Sequence, residues 1–171
     1  MRTRALAALT GLALTAAACA TVDPSPALSP AASVEAGPAP SPVAGYDWML
    51  TIHDDEAHLV WGVPESDDMA LGFNCRRGAG RAGLVSLGED GDAPVILLES
   101  GGETGRFAAE SELSLLHDAP ILTADAMLSE PVLQRFRRLG WIAQWRGGGR
   151  EAYAPHPGSE PNIEDFFAFC G

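Results

Sequence analysis

The chain has 171 residues, 46% of them hydrophobic, and carries 23 acidic against 11 basic side chains for a net charge of −12. That surplus argues against nucleic acid and anionic lipid headgroups as partners, because both are bound through clustered cations. An acidic surface is otherwise a device for solubility.

The N-terminus reads as an export signal. Arg2 and Arg4 form a short positive region, and residues 5–18 run without a charge, mostly as Ala and Leu. This run is too short for a stable membrane span and fits the apolar core of a signal peptide. The segment Leu14-Thr15-Ala16-Ala17-Ala18-Cys19 resembles a bacterial lipobox, in which small residues precede an invariant cysteine. Leu14 stands two residues earlier than that pattern prefers. The resemblance implies removal of residues 1–18 and lipidation of Cys19, palmitate being the expected acyl class. Three acyl chains would bury dozens of methylenes at about 0.8 kcal/mol each, an effectively permanent anchor. Ala20 rather than Asp follows the cysteine, which by the same resemblance implies the outer membrane, facing the periplasm. The alternative is plain secretion into the periplasm after cleavage at the small residues.

Residues 19–45 are expected to form the lipidated Cys19 and a disordered Pro/Ala/Ser tether. From Ala20 to Gly45 there are six prolines and no aromatic residue. Such a stretch cannot bury enough apolar surface to offset its chain entropy. It would reach roughly 80 Å as an extended polyproline helix and roughly 30 Å as a coil. Composition changes at Tyr46, so a single β-rich domain is expected over 46–171, an ordinary size for one core.

That domain begins with period-two alternation. Trp48, Leu50 and Ile52 share one face, as do Ala57, Leu59, Trp61 and Val63, then Met69, Leu71, Phe73 and Cys75. The turns between them are charged or Pro-rich, His53-Asp54-Asp55-Glu56 and Pro64-Glu65-Ser66-Asp67-Asp68. Further strands are predicted at 83–87, 94–99, 105–110, 112–116 and 119–123. Ser129-Glu130-Pro131 starts a helix with Ser129 as its cap, and Gly140 ends it. A hairpin at 141–146 and 150–154 follows, with Trp141, Ala143 and Trp145 on the face assigned to the core. Ser159-Glu160-Pro161 starts a second helix whose Ile163, Phe166, Phe167 and Cys170 share a side. The expected fold is mainly β with two short helices: a small antiparallel β-sandwich or barrel, one helix inserted and one at the C-terminus.

With Cys19 acylated, Cys75 and Cys170 remain, each on an apolar face. In an oxidising compartment this pair reads as a disulfide, and the alternative is two buried free thiols.

Chemistry-bearing clusters are sparse. His53, Asp54, Asp55, Glu56 and His58 are dense in ligand types, but their spacing fits a charged hairpin tip better than a zinc helix. Glu89-Asp90-Gly91-Asp92 lacks the distal Glu of a calcium loop. Asp67 and Asp68 would be the acid/base pair of a hydrolase if a second group lay nearby. No cofactor or metal is expected. Arg135, Arg137 and Arg138 crowd the end of the first helix, where they complement its dipole. Arg76, Arg77 and Arg81 flank the Gly78-Ala79-Gly80 loop. Should the two clusters meet, they would suit a carboxylate or phosphate ligand.

Two functional classes follow. The first is a non-catalytic envelope module, held to the membrane by its lipid, that binds an envelope protein or cell-wall ligand. In export, size and acidity the chain is similar to small disulfide-bonded lipoproteins that inhibit lysozyme, though without their sequence motif. An inhibitor of a cationic hydrolase is therefore one form of this class. The second class is an envelope hydrolase working through Asp67 and Asp68.

The export reading has a direct check. Labelled fatty acid should be incorporated into the wild-type protein and not into Cys19→Ser. Equal labelling of the two would rule out Cys19 as the acylation site.

Overall fold

The computed structural model describes residues 39–89, 93–114 and 119–171. The signal, Cys19 and the tether to residue 38 lie outside them, as do Asp90, Gly91, Asp92 and the end of the strand predicted at 112–116. The described residues belong to one unit.

Among the described residues, ten strands and two helices follow in chain order. They are β1 (Asp47–His53), β2 (Glu56–Gly62), β3 (Met69–Arg76), β4 (Arg81–Leu87), β5 (Val95–Ser100), β6 (Glu103–Ala108), β7 (Glu110–Leu113), β8 (Pro120–Met127), α1 (Pro131–Leu139), β9 (Ile142–Arg146), β10 (Gly149–Tyr153) and α2 (Glu160–Cys170). A six-stranded sheet runs β1-β2-β3-β4-β8-β7 and a four-stranded sheet β10-β9-β5-β6. Every pairing is antiparallel. The two sheets pack as a sandwich-like fold, as the alternation implied, with one helix inserted and one C-terminal.

Period two explains the large sheet. Trp48 lies opposite Trp61 and Trp61 opposite Leu71, while Leu50, Leu59, Phe73 and Leu84 form the next row. These side chains point inward with Ile96 and Leu98 of the small sheet and Phe136, Phe166 and Phe167 of the helices. The alternate positions His58, Asn74, Gly83 and Asp125 make a polar row on the wet outer face. Ile52, assigned to the inner face, is exposed at the strand end.

The β9–β10 connection turns on Gly147 and Gly148, with φ of 54° and 73°. Successive positive φ values match the twist of a tight hairpin and favour glycine. The face assignment of β9 needs correction. Ile142 joins the main core, whereas Trp141, Ala143 and Ala154 form a small separate cluster and Trp145 is 44% exposed. Both faces are covered at the start of β9, so alternation alone did not identify the core side.

Both helix stops and starts are local. Gly140, in the left-handed region, donates its N–H to the Phe136 carbonyl and ends α1. The cap of α1 is Glu130, not Ser129, with Pro131 in the first turn. Ser159 caps α2 by position, yet its hydroxyl is spent on the Asp47 carboxylate at 2.6 Å. The same Asp47 oxygen accepts the N–H groups of Trp48 (2.8 Å) and His156 (3.1 Å), which ties β1 to the approach of α2.

The C-terminus of α2 docks on the β3–β4 hairpin. Cys75 and Cys170 lie at disulfide distance, with 5.8 Å between their Cα atoms and 95 residues between them in sequence. Gly78 and Gly80 donate N–H groups to the carbonyls of Phe169 (3.0 Å) and Cys170 (2.8 Å). Helix ends leave such carbonyls without intrahelical partners, so the Gly-rich loop supplies the missing donors.

Closing that loop is worth about 4–5 kcal/mol in the chain-entropy model. Cys75→Ala/Cys170→Ala should therefore lower stability by about 2–5 kcal/mol, with amide exchange rising first in α2. Alkylation and mass spectrometry of non-reduced protein should show both cysteines protected. Two alkylated domain cysteines would refute the bond.

Candidate functional site

Where the two sheets diverge, the fold leaves a cleft of about 380 Å³. Its walls come from the entering segment (Val43, Tyr46), from β2 (Trp61), the β2–β3 turn (Asp68) and the start of β3 (Met69, Ala70), from Leu87 at the end of β4, and from β9 and β10 (Arg146, Glu151, Ala152, Tyr153). Val43 is fixed there because its carbonyl lies 2.9 Å from His156 Nε2. The size falls at the lower end of small-molecule sites, about 300–1,000 Å³.

Aromatic rings form the base. Tyr46 stacks on Trp61 with centroids 6.3 Å apart, and Trp61 packs against Tyr153 at 5.6 Å. The polar groups are arranged as neighbouring pairs. Tyr46 donates its O–H to Asp68 at 2.6 Å, and Arg146 pairs with Glu151 at 3.0 Å. Tyr153 donates its O–H to the same Glu151 oxygen at 3.1 Å.

Behind this rim a polar thread crosses the core. Gln144 of β9 donates its amide to Ser86 Oγ of β4 at 2.6 Å, and its carbonyl oxygen sits 3.5 Å from the Tyr153 hydroxyl. Gln144 and Ser86 are buried, and a buried polar group without a partner costs about 1–3 kcal/mol. The Ser86 hydroxyl also meets the carbonyls of Ala70 (3.2 Å) and Leu87 (3.1 Å), so it is the Gln144 amide that depends on Ser86, and the thread joins the two sheets at the head of the cleft.

Electrostatics give these groups a role. The phenol of Tyr46 is pushed above its usual range, first by the hydrogen bond to Asp68 and then by burial. Burial raises Tyr153 further, aided by the charge of Glu151. Both phenols are protonated at neutral pH and act as hydrogen-bond donors, not as bases. Asp68 and Glu151 are each engaged by a donor. The arrangement can stack a ring and hydrogen-bond a polar ligand.

The residues singled out from sequence fall elsewhere. Arg76 pairs with Glu56 (3.7 Å), Arg77 with Asp55 (3.7 Å) and Arg81 with Asp125 (3.0 Å). Arg77 also lies 3.9 Å over the Phe169 ring at the end of α2, where a cation suits the helix dipole. Arg137 holds Glu164 through two contacts, one of 2.8 Å, and keeps that carboxyl below its usual range. Arg138 is exposed, and the Arg135 Nε is buried without a hydrogen-bond partner. Arg76 and Arg81 line one shallow outer depression and Arg137 another. No described cavity is lined by arginines of both clusters. His53 lies 3.1 Å from Asp54 at an exposed hairpin tip, and His58 points from the outer face. Asp67 stands in the β2–β3 turn beside Asp68, the one acid of that pair in the cleft.

Sequence reasoning missed Tyr46, Tyr153, Arg146, Glu151, Gln144 and Ser86. One signal was present: Gln144 and Ser86 are polar residues on inward-facing sides of apolar strands. Comparison of the chain with protein-family models, curated proteins and solved structures finds no match.

The chain holds two tyrosines, both in the cleft, which makes a clean titration. An unperturbed phenol ionises near pH 10. Because both folded-state values are raised, their contribution to stability is complete below that pH and is lost as pH rises toward the folded values. Native protein should show little phenolate absorbance at about pH 10, and urea-unfolded protein about half. Matching curves for the two states would overturn the assignment.

Proposed function

We propose that the protein is an envelope lipoprotein whose domain is a non-catalytic binding module. It would be exported, acylated on Cys19 and anchored in the outer membrane, with the Pro-rich segment holding the domain in the periplasm. The inter-sheet cleft is its binding surface, and its ligand is an envelope protein or cell-wall component presenting a polar group with an apolar face. One observation carries the choice of binding over catalysis: the acids and phenols of the cleft are already paired as donors and acceptors. Hydrolysis needs a base poised on a water or a free nucleophile. The cleft offers a stacking base with neutralised charge, a surface for recognition.

The segment that enters the domain from the tether supplies Val43 and Tyr46 to the wall. A ligand in the cleft therefore sits beside the anchor-bearing chain.

A photo-reactive benzoylphenylalanine at Leu87, inside the cleft, should crosslink an envelope component in intact cells. The same group at Ala168, exposed on α2, should not. Arg146→Ala should reduce the Leu87 adduct at least fivefold. Equal adducts at both positions, or release of soluble wall fragments by the purified protein that Asp67→Asn/Asp68→Asn abolishes, would refute the reading.

A further inference from the structure

The outer face of the four-stranded sheet carries a row of side chains that the cleft does not use. Register sets Arg150 opposite Trp145, Trp145 opposite Leu97, and Leu97 opposite Arg106, so the row crosses β10, β9, β5 and β6. The other three tryptophans are buried, whereas Trp145 is 44% exposed and Leu97 beside it is partly exposed. Trp145 and Arg146 are consecutive, so they point to opposite faces of the strand, Arg146 into the cleft and Trp145 away from it.

The two ends of the row differ. Arg150 is committed, because it pairs with Glu99 and lies 5.7 Å from the ring centre of Trp141. Arg106 is exposed and has no ion-pair partner among the described residues. A cation without an ion-pair partner thus stands two strands from an open indole, across Leu97, on a chain of net charge −12. Elsewhere on the described surface, Arg76, Arg77, Arg81, Arg137 and Arg146 meet acids, and Arg138 is exposed without one.

We propose that this row is a second ligand site, for a carboxylate-bearing glycan. Trp145 stacks under the apolar face of one sugar ring and Arg106 takes the carboxylate of a neighbouring unit. Strand spacing puts the two about 10 Å apart across the sheet, so one ring with its own carboxylate does not reach both, and a chain of linked sugars does. Charge complementarity selects an anion, and the guanidinium fork matches a carboxylate. The direction of the row selects a sugar over a peptide. Peptides are taken up along a strand edge by backbone pairing or in a groove by spaced anchors, and this row runs across strand faces.

The test uses the full-length protein in detergent and two probes, an oligogalacturonate and the same oligomer with its carboxyls methyl-esterified. Titration calorimetry should show the acid oligomer binding wild-type protein. Trp145→Ala should weaken that at least tenfold. Arg106→Ala should weaken the acid oligomer tenfold and leave the residual affinity for the ester unchanged. Near-ultraviolet circular dichroism checks that both variants keep the fold. Wild-type protein that binds neither probe would overturn the proposal, as would folded variants that bind the acid oligomer like wild type. Trp145-dependent binding to phosphatidylglycerol vesicles without binding to the oligomer would assign the row to a membrane surface instead and equally overturn it.

Discussion

Trp48 is the side chain on which the layers converge. Its indole packs against Trp61 at 5.5 Å, Phe73 at 5.9 Å and Phe136 at 5.1 Å, and its Nε1 donates to the Tyr153 carbonyl at 3.3 Å. Its own carbonyl accepts the side-chain amide of Asn162 at 2.9 Å. One residue of β1 therefore touches β2, β3, α1, the end of β10 and α2. Truncating a buried Trp costs about 3–5 kcal/mol, a large share of the 5–15 kcal/mol that holds a typical domain together. Without this ring the sheets would still alternate correctly, and Phe73, packed on Phe136 at 5.6 Å and Phe166 at 6.2 Å, would be left to join the large sheet to both helices.

The position of the cleft follows from that constraint. Trp48 draws the end of β10 onto the large sheet, and the polar thread of Ser86, Gln144 and Tyr153 sets how closely the sheets approach beyond it. The Gln144 amide on Ser86 Oγ at 2.6 Å joins the two sheets there, and the aromatic and charged rim is built on the adjoining strands. Such a site is formed before any ligand arrives, which limits the ordering cost of binding. At the opposite end the β3–β4 loop meets α2 and the Cys75–Cys170 pair, and a more open depression of about 540 Å³ lies between Gly80, Leu128, Gln134 and Phe167.

Much of the large sheet was legible because one face is buried and the other wet. The alternating runs Trp48-Leu50, Ala57-Leu59-Trp61 and Leu71-Phe73-Cys75 carry that difference residue by residue. Both helices were readable from apolar spacing, and the Cys75–Cys170 pairing from parity and face. The small sheet was harder: β9 is covered on both sides at its start, so Trp141 and Ile142 are equally apolar and equally buried. The cleft was hidden for a different reason. Ser86 and Gln144 are 58 residues apart in sequence and meet through the packing of the two sheets, which no local pattern encodes. The role of the Gly78–Gly80 loop could not be read from its composition, because its N–H groups meet the carbonyls that end α2, far along the chain.

The claim that the inter-sheet cleft is the functional surface is tested most directly by hydrogen–deuterium exchange. Full-length protein in isolated envelopes, with its native surroundings present, is compared with the same protein purified in detergent. Expected is slower exchange in envelopes at residues 43–46 and 63–69, which wall the cleft, with the exposed tip at 53–56 unchanged. Identical exchange at 43–46 and 63–69 in both settings would contradict the assignment.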